Sequence, residues 1–192
     1  TSNAMHMGIL GRSVGRNSYT GYSALYYWGV LTNDDYAGAN EGGFQKLNTA
    51  INHIQRLGRQ LNLHLNFHSQ LASKELDSSE QFYLGGANGV RAYPQGEAGG
   101  DSGYQATAEL RFITPLPQLT LAAFVDWGEI MQRGNVADQH RELAGWGLGL
   151  QYSQPGNYYM RLDYARKING EAYQSEAEDK NSRLWFQAVK MF

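Results

Sequence analysis

Apolar and polar residues alternate along most of the chain with the two-residue period of a β-strand. The clearest run sets Leu61, Leu63, Leu65 and Phe67 against Asn62, His64, Asn66 and His68. The pattern predicts eight strands, near residues 19–31, 44–57, 60–72, 104–113, 118–130, 141–153, 157–168 and 183–192. The segment 44–57 alternates poorly and is included because its neighbours need a partner in a sheet.

The connections between these strands alternate strictly between short and long. Tight turns are expected at 58–59, 115–117 and 154–156, and long polar loops at 32–43, 73–103, 131–140 and 169–182. Strict alternation gathers the turns at one end of the sheet and the loops at the other, which is typical of transmembrane barrels. The sequence therefore predicts an all-β fold, an antiparallel up-and-down transmembrane β-barrel.

Charged residues on the polar strand faces bear on the alternative, a soluble β-sandwich or lipocalin-like barrel, in which alternation also occurs. A soluble barrel turns its apolar side chains inward, whereas a porin-type barrel has a polar lumen. The polar faces here carry Glu109, Arg111, Asp126, Arg161 and Asp163. So many charges favour a water-filled lumen.

Composition agrees with a β-rich chain, because 23 glycines and 13 tyrosines among 192 residues suit strands and tight turns. The lack of cysteine excludes disulfides and thiolate metal sites. The net charge of −2 gives no electrostatic case for a nucleic-acid partner. Residues 1–8 are interpreted as a cloning scar and disordered lead, because they have neither the basic start nor the apolar run of a signal peptide.

No motif indicates catalysis, since the chain has no G-x-S-x-G elbow and no recognisable pair of carboxylates. The chain is therefore not expected to be an enzyme. His64 and His68 share a strand face, but four residues of strand separate them by about 13 Å, too far to ligate one metal together. Neither a metal site nor a cofactor is expected.

The stretch from Phe82 to Arg111, FYLGGANGVRAYPQGEAGGDSGYQATAELR, is too long for a passive connection. Its motif Val90-Arg91-Ala92-Tyr93 is followed, two strands along the chain, by Phe124, Asp126 and Gly128. These motifs resemble the VRG(Y/F) loop tip and the F-x-D-x-G strand of the ShlB/FhaC/HecB family of haemolysin secretion and activation proteins. That family comprises the TpsB transporters of two-partner secretion, in the BamA-like superfamily. Further matches that support the loop are Gly85, Gly86, Gly96, Glu97, Gly100, Asp101 and Glu109.

The resemblance implies that residues 9–192 are the C-terminal half of a sixteen-stranded outer-membrane barrel. The functional loop 73–103 then lies between strands eleven and twelve. Arg91 would pair with Asp126 on the lumen wall, so that the loop acts as a plug or latch; in the alternative, both are simply solvated charges. Ala92 stands where the family has glycine, so a tip that needs positive φ would be strained here.

The implied function is export and activation of a large haemolysin- or adhesin-type exoprotein across the bacterial outer membrane. The expected partners are the unfolded exoprotein, outer-membrane lipid and the barrel-assembly machinery, whose C-terminal signal would be Phe192, although Lys190 departs from the usual apolar pattern. The first half of the barrel and the POTRA domains of the family would lie outside this chain. The alternative is a self-contained eight-stranded outer-membrane barrel with a structural or binding role, since eight strands can close.

Overall fold

The computed structural model describes residues 2–31, 42–116, 118–133, 138–168 and 173–191. The strands are β1 Ser2–Val14, β2 Ser18–Leu31, β3 Gly42–Arg56, β4 Leu61–Ala72, β5 Phe82–Tyr83, β6 Gly99–Gly100, β7 Ser102–Ile113, β8 Leu119–Gln132, β9 Gln139–Gln154, β10 Tyr158–Lys167 and β11 Ser182–Lys190. Nine of them form one antiparallel sheet in the order β1-β2-β3-β4-β7-β8-β9-β10-β11, and β5 pairs separately with β6. Among the described strands, β1 and β11 pair on one side only, so the sheet is open between them.

The all-β antiparallel fold and the eight predicted strands are confirmed, with strand ends that differ from the prediction by at most two residues. The structure differs at the N-terminus, where Ser2–Val14 pairs along its whole length with β2 instead of forming a disordered lead. Met5, Met7 and Ile9 alternate there with less apolar residues, which is the pattern of a strand. The cloning origin of the first residues stays a prediction.

The two faces of the sheet differ in chemistry. We call the face that the β4–β7 connection covers the inner face, and the opposite one the outer face. In β7–β10 the inner face buries Glu109, Phe124, Asp126, Gly145 and Asp163. The outer face exposes Leu110, Val125, Trp127, Trp146, Leu148, Leu162 and Tyr164. An apolar outer face and a polar inner face are the arrangement of a transmembrane barrel and not that of a soluble one.

The connection between β4 and β7, residues 73–101, folds back over the inner face; we call it the inserted loop. It contains a single 3-10 turn, Ser78–Glu80, and the short β5–β6 ladder. Asp101 fixes its base, because the two carboxylate oxygens accept hydrogen bonds from the backbone N–H groups of Leu76 and Arg133, both at 2.7 Å. Among the described residues, no helix is long and apolar enough to cross a membrane.

Candidate functional site

The tip of the inserted loop is a tight turn at Val90–Tyr93, in which the Tyr93 N–H donates to the Val90 carbonyl at 3.1 Å. The ladder of β5 and β6 continues into it, since Leu84 N–H donates to Ala98 O and Gly85 N–H to Glu97 O. All four residues of the tip are at least 97% buried. A loop packed in this way presents its side chains in fixed positions to the inner face.

Arg91 makes a bidentate ion pair with Asp126 in the middle of β8. Its Nε donates to Oδ2 at 2.8 Å and its Nη2 donates to Oδ1 at 2.9 Å. The backbone N–H of Arg91 also donates to Oδ2, at 3.2 Å, and Thr107 Oγ1 donates to Oδ1 at 2.9 Å. Parallel bonds of this kind are the strong, geometrically specific form of a charge pair.

Four further charges surround this pair. Nη1 of Arg91 donates to Glu109 at 2.8 Å and to Asp163 at 3.3 Å. Arg161 bonds the same two carboxylates, and Arg111 bonds Glu109 at 2.6 Å. The resulting charge cluster is Arg91, Arg111, Arg161, Glu109, Asp126 and Asp163. Its three positive and three negative charges balance, so the cluster carries no net charge.

The surroundings keep Arg91 charged. Burial alone would lower the pKa of its guanidinium, but the hydrogen bonds and charges of Asp126 and Glu109 raise that pKa above its ordinary value. The Phe124 ring lies beneath the guanidinium, with 3.2 Å between Cζ and the ring centroid. Stacking on an aromatic face adds a cation–π attraction. Phe124 therefore stacks on the face of the Arg91 guanidinium, while Asp126, two residues along the same strand, pairs with its edge.

Three glycines on the inner face of β9 make room for this arrangement. A Cβ on Gly145 would lie 2.7 Å from the Ala92 Cβ, one on Gly147 would lie 2.3 Å from the Phe124 ring, and one on Gly149 would lie 2.5 Å from Asp163 Oδ1. Real Cβ atoms do not approach neighbours so closely. The glycine stripe, Gly145, Gly147 and Gly149, is thus a groove that receives the tip and its partners.

Ala92 carries no backbone strain. Among the described residues other than glycine, positive φ occurs at Ala98 and Gln118, not at Ala92. The tip of this chain does not need positive φ at Ala92, so the condition under which alanine was expected to be strained is not met. The alanine methyl instead packs against Gly145, so the glycine that lets backbone and tip approach each other lies on the opposing strand.

The remaining glycines noted in the sequence support the loop. Gly86 and Gly96 adopt positive φ of 130° and 80°, which few other residues adopt without strain. Gly85, Gly100 and Gly128 lie where a Cβ would come within 3 Å of a neighbouring atom.

Phe192 lies outside the described residues, so the expected assembly signal stays a prediction. Among the described residues, no group of three or more His, Asp or Glu side chains is placed to hold a metal.

The last hairpin holds the backbone of the tip. Trp185 Nε1 of β11 donates to the Arg91 carbonyl at 2.7 Å, and the Tyr173 hydroxyl donates to the Ala92 carbonyl at 3.0 Å. Tyr173 belongs to the β10–β11 connection and also packs edge-on against Tyr93, with the ring centroids 5.7 Å apart. The tip is thus bound by its side chain to β7, β8 and β10, and by its backbone to the C-terminal hairpin.

Glu97 joins the inserted loop to the same connection. Its carboxylate accepts hydrogen bonds from the Gln174 N–H, the Ser175 N–H and the Ser175 hydroxyl, and Arg141 pairs with it at 2.7 Å. Its side chain is fully buried. We call these contacts of Glu97 the clasp. Burial alone would raise the pKa of Glu97, but the bonds from Ser175, Arg141 and Gln174 hold it below its ordinary value.

The clasp is expected to weaken in acid. Because the folded pKa of Glu97 is depressed, its contribution is complete above the unfolded pKa of about 4.3 and is lost as pH falls through the folded pKa. Glu97→Gln should lower the stability by about 2 kcal/mol at pH 7, the scale of hydrogen bonds to a charged group. The thermal unfolding midpoints of the two proteins should converge as the pH falls below the folded pKa of Glu97.

The matched control is Glu178→Gln, because Glu178 is 81% exposed and pairs only with the exposed Lys180 among the described residues. It should leave the midpoint unchanged at every pH. A midpoint difference between wild type and Glu97→Gln that stays constant from neutral to acidic pH would contradict the assignment.

Comparison with known proteins agrees with this geometry. A family model for the Omp85 superfamily domain matches residues 7–189. The chain belongs to the Omp85 superfamily. This superfamily consists of outer-membrane β-barrel proteins, and its match confirms the superfamily to which the loop and strand motifs pointed.

Individual relatives agree with this family. Over 160 residues the chain is 26% identical to the heme/hemopexin transporter protein HuxB of Haemophilus influenzae, a match that covers 78% of this chain and 27% of HuxB. Its fold is similar to CdiB from Escherichia coli, with a TM-score of 0.80, 16% identity and coverage of 98% of this chain and 36% of CdiB. CdiB from Acinetobacter baumannii gives a TM-score of 0.58 at 19% identity and covers 99% of this chain and 41% of that protein. The chain thus spans about a quarter to two fifths of the relatives it matches.

Sequence reasoning placed Arg91, Asp126 and Glu109 at the site but missed Asp163, Arg161, Tyr173 and Trp185. A signal existed for the first two, because Arg161 and Asp163 stand two residues apart on the polar face of one strand, as Glu109 and Arg111 do on another. No such signal existed for Tyr173, whose position depends on how a long loop packs.

Proposed function

We propose that this Omp85 chain is the barrel part of an outer-membrane transporter of two-partner secretion, which exports and activates a large haemolysin- or adhesin-type exoprotein. The observation that carries the proposal is the inserted loop bound to the inner face by Arg91 and Asp126. A loop held by one charge cluster and one hairpin can occupy the lumen in one state and leave it in another, so it can act as a latch.

The likeness of the sequence to HuxB, which is named as a transporter, supports a transport role. The likeness to CdiB shows the fold and extends over nearly the whole chain. The unfolded exoprotein would pass along the inner face, while the apolar outer face contacts outer-membrane lipid. Assembly of such a barrel in the outer membrane would require the barrel-assembly machinery.

Secretion by the full-length protein tests the proposal. The full-length protein is expressed together with its candidate exoprotein, and the amount of exoprotein in the medium is compared between wild type and Asp126→Ala. Loss of one partner of a buried pair costs about 3–5 kcal/mol, enough to change the occupancy of the docked loop more than about a hundredfold. Secretion should fall sharply while the barrel still inserts into the outer membrane.

Lys180→Gln is the matched control, since Lys180 is 61% exposed and lies outside the charge cluster. It should secrete as the wild type does. Undiminished secretion by Asp126→Ala would contradict the role of the loop as a latch. Absence of exoprotein secretion by the wild type would contradict the transport role itself.

A further inference from the structure

Four arginines gather at the short-turn end of the first two hairpins. Arg12 and Arg16 belong to the β1–β2 hairpin, Arg56 and Arg59 to the β3–β4 hairpin, and all four are exposed. The two hairpins touch at this end, because the Arg56 N–H donates to the Asn17 carbonyl at 2.8 Å. The four side chains therefore belong to one surface, which we call the basic rim.

The basic rim has no acidic counterpart nearby. Residues 2–31 and 42–74 contain no Asp or Glu. Within the described part of the chain, none of the four arginines forms an ion pair, whereas Arg91, Arg111 and Arg161 of the charge cluster all do. The four arginines thus form a patch of uncompensated positive charge at the turn end of the first two hairpins.

Two of the four arginines stand on the inner face. Lys46 of β3 points inward, since it binds Glu80 of the inserted loop at 2.6 Å, and Arg56 lies an even number of residues further along the same strand. His6 of β1 contacts Tyr27, the ring over which Lys46 lies, and Arg12 has the same parity as His6. Arg12 and Arg56 therefore stand on the face opposite to the one that lipid contacts.

We propose that the basic rim is the mouth of the transport path and attracts acidic segments of the polypeptide that passes through it. This inference rests on the proposed function and names the chemistry of its substrate. A patch of uncompensated charge concentrates oppositely charged chains and speeds their capture. Beyond the rim the charge cluster is neutral, so that an acidic segment is drawn in without being held along the wall.

Peptide binding to the purified full-length protein in a neutral detergent tests the inference. The probes are a Glu/Ser peptide and a Lys/Ser peptide of equal length, each with an uncharged fluorophore, followed by anisotropy. The Glu/Ser peptide should bind, and its affinity should fall about tenfold in R12Q/R16Q/R56Q/R59Q and on raising NaCl from about 0.05 to about 0.3 M. The corresponding fourfold lysine variant keeps the charge and should keep the affinity.

Two results would overturn the inference. One is equal affinity for the two peptides, or an affinity for the Glu/Ser peptide that the glutamine substitutions do not change. The other is arginine-dependent attachment to phosphatidylglycerol vesicles, and not to phosphatidylcholine vesicles, without any effect on peptide binding, which would make the rim a lipid surface. Should the fourfold variant fail to fold, R16Q/R59Q changes only the two turn residues and should still lower the affinity.

The peptide assay is independent of secretion. If the transport role were wrong, the wild type would secrete no exoprotein whether or not the rim bound acidic peptides. If only the proposed role of the basic rim were wrong, secretion would persist while the protein bound the Glu/Ser and Lys/Ser peptides equally. The two failures are therefore distinguishable.

Discussion

Arg91→Ala is expected to release the inserted loop from the inner face while the surrounding sheet stays folded. Asp126 would lose both prongs of the ion pair and keep Thr107 as its side-chain donor. Glu109 and Asp163 would keep Arg161. Leaving a buried carboxylate in this state costs about 3–5 kcal/mol, which exceeds the roughly 1 kcal/mol each of the bonds that Trp185 and Tyr173 would still donate to the tip backbone.

Hydrogen exchange of the loop amides measures this release. The N–H groups of Val90 and Tyr93 are bonded within the loop, so they should exchange slowly in the wild type and at least about a hundredfold faster in Arg91→Ala. Amides of β7 and β8 should change little, because their ladder bonds do not involve Arg91. Unchanged protection of both loop amides would show that the ion pair does not hold the loop.

Arg91→Lys separates charge from geometry. Lysine keeps the positive charge but replaces the planar fork with a single ammonium group, which cannot bond both oxygens of Asp126 and reach Glu109 as well. Loop exchange should lie between wild type and Arg91→Ala. Protection equal to that of the wild type would mean that charge alone positions the tip.

Gly147→Ala is expected to have the second large effect, because the added methyl has no space. Its Cβ would lie 2.2 Å from the backbone oxygen of Tyr164 and 2.3 Å from the Phe124 ring. A backbone atom of a paired strand cannot move aside, so the Phe124 ring must leave its place beneath Arg91. Overpacking of this kind costs about 1–3 kcal/mol or more, and thermal unfolding should begin at a lower temperature.

Gly21→Ala is the matched control, because Gly21 also lies within a strand but the nearest atom to its new Cβ, the Tyr19 hydroxyl oxygen, would be 3.5 Å away. It should leave the unfolding midpoint unchanged or raise it slightly, since alanine is less costly than glycine to order. Equal midpoints for the two variants would show that the glycine stripe does not govern packing at the site.

The strands were accessible to sequence reasoning because inner residues are mostly polar or small, with exceptions such as Phe124 and Ile130, and outer ones are mostly apolar. That pattern is local, and it placed Asp126 on the correct face before any tertiary contact was known. The first strand was overlooked because its opening residues have the composition of an expression tag. Their alternation of Met5, Met7 and Ile9 with other residues carried the same signal as in the other strands.

The site was predictable only in part, because its contacts are non-local. The pairing of Arg91 with Asp126 could be inferred from family motifs, but the balance of charges around it depends on the register of four neighbouring strands, β7 to β10. The sequence placed Glu97 in the loop but did not identify the groups that donate hydrogen bonds to it. Its donors Gln174 and Ser175 are separated from it by more than seventy residues, and no periodic pattern marks their position.

The contacts of Trp185 and Tyr173 with the tip carbonyls make the last hairpin and the inserted loop thermodynamically linked. Linkage is reciprocal, so whatever stabilises β11 in its present position also strengthens the docking of Arg91, by the same factor. Displacement of β11 weakens that docking equally. A molecule that binds the edge of β11 left unpaired among the described strands is therefore an effector of the tip, although it never touches the tip.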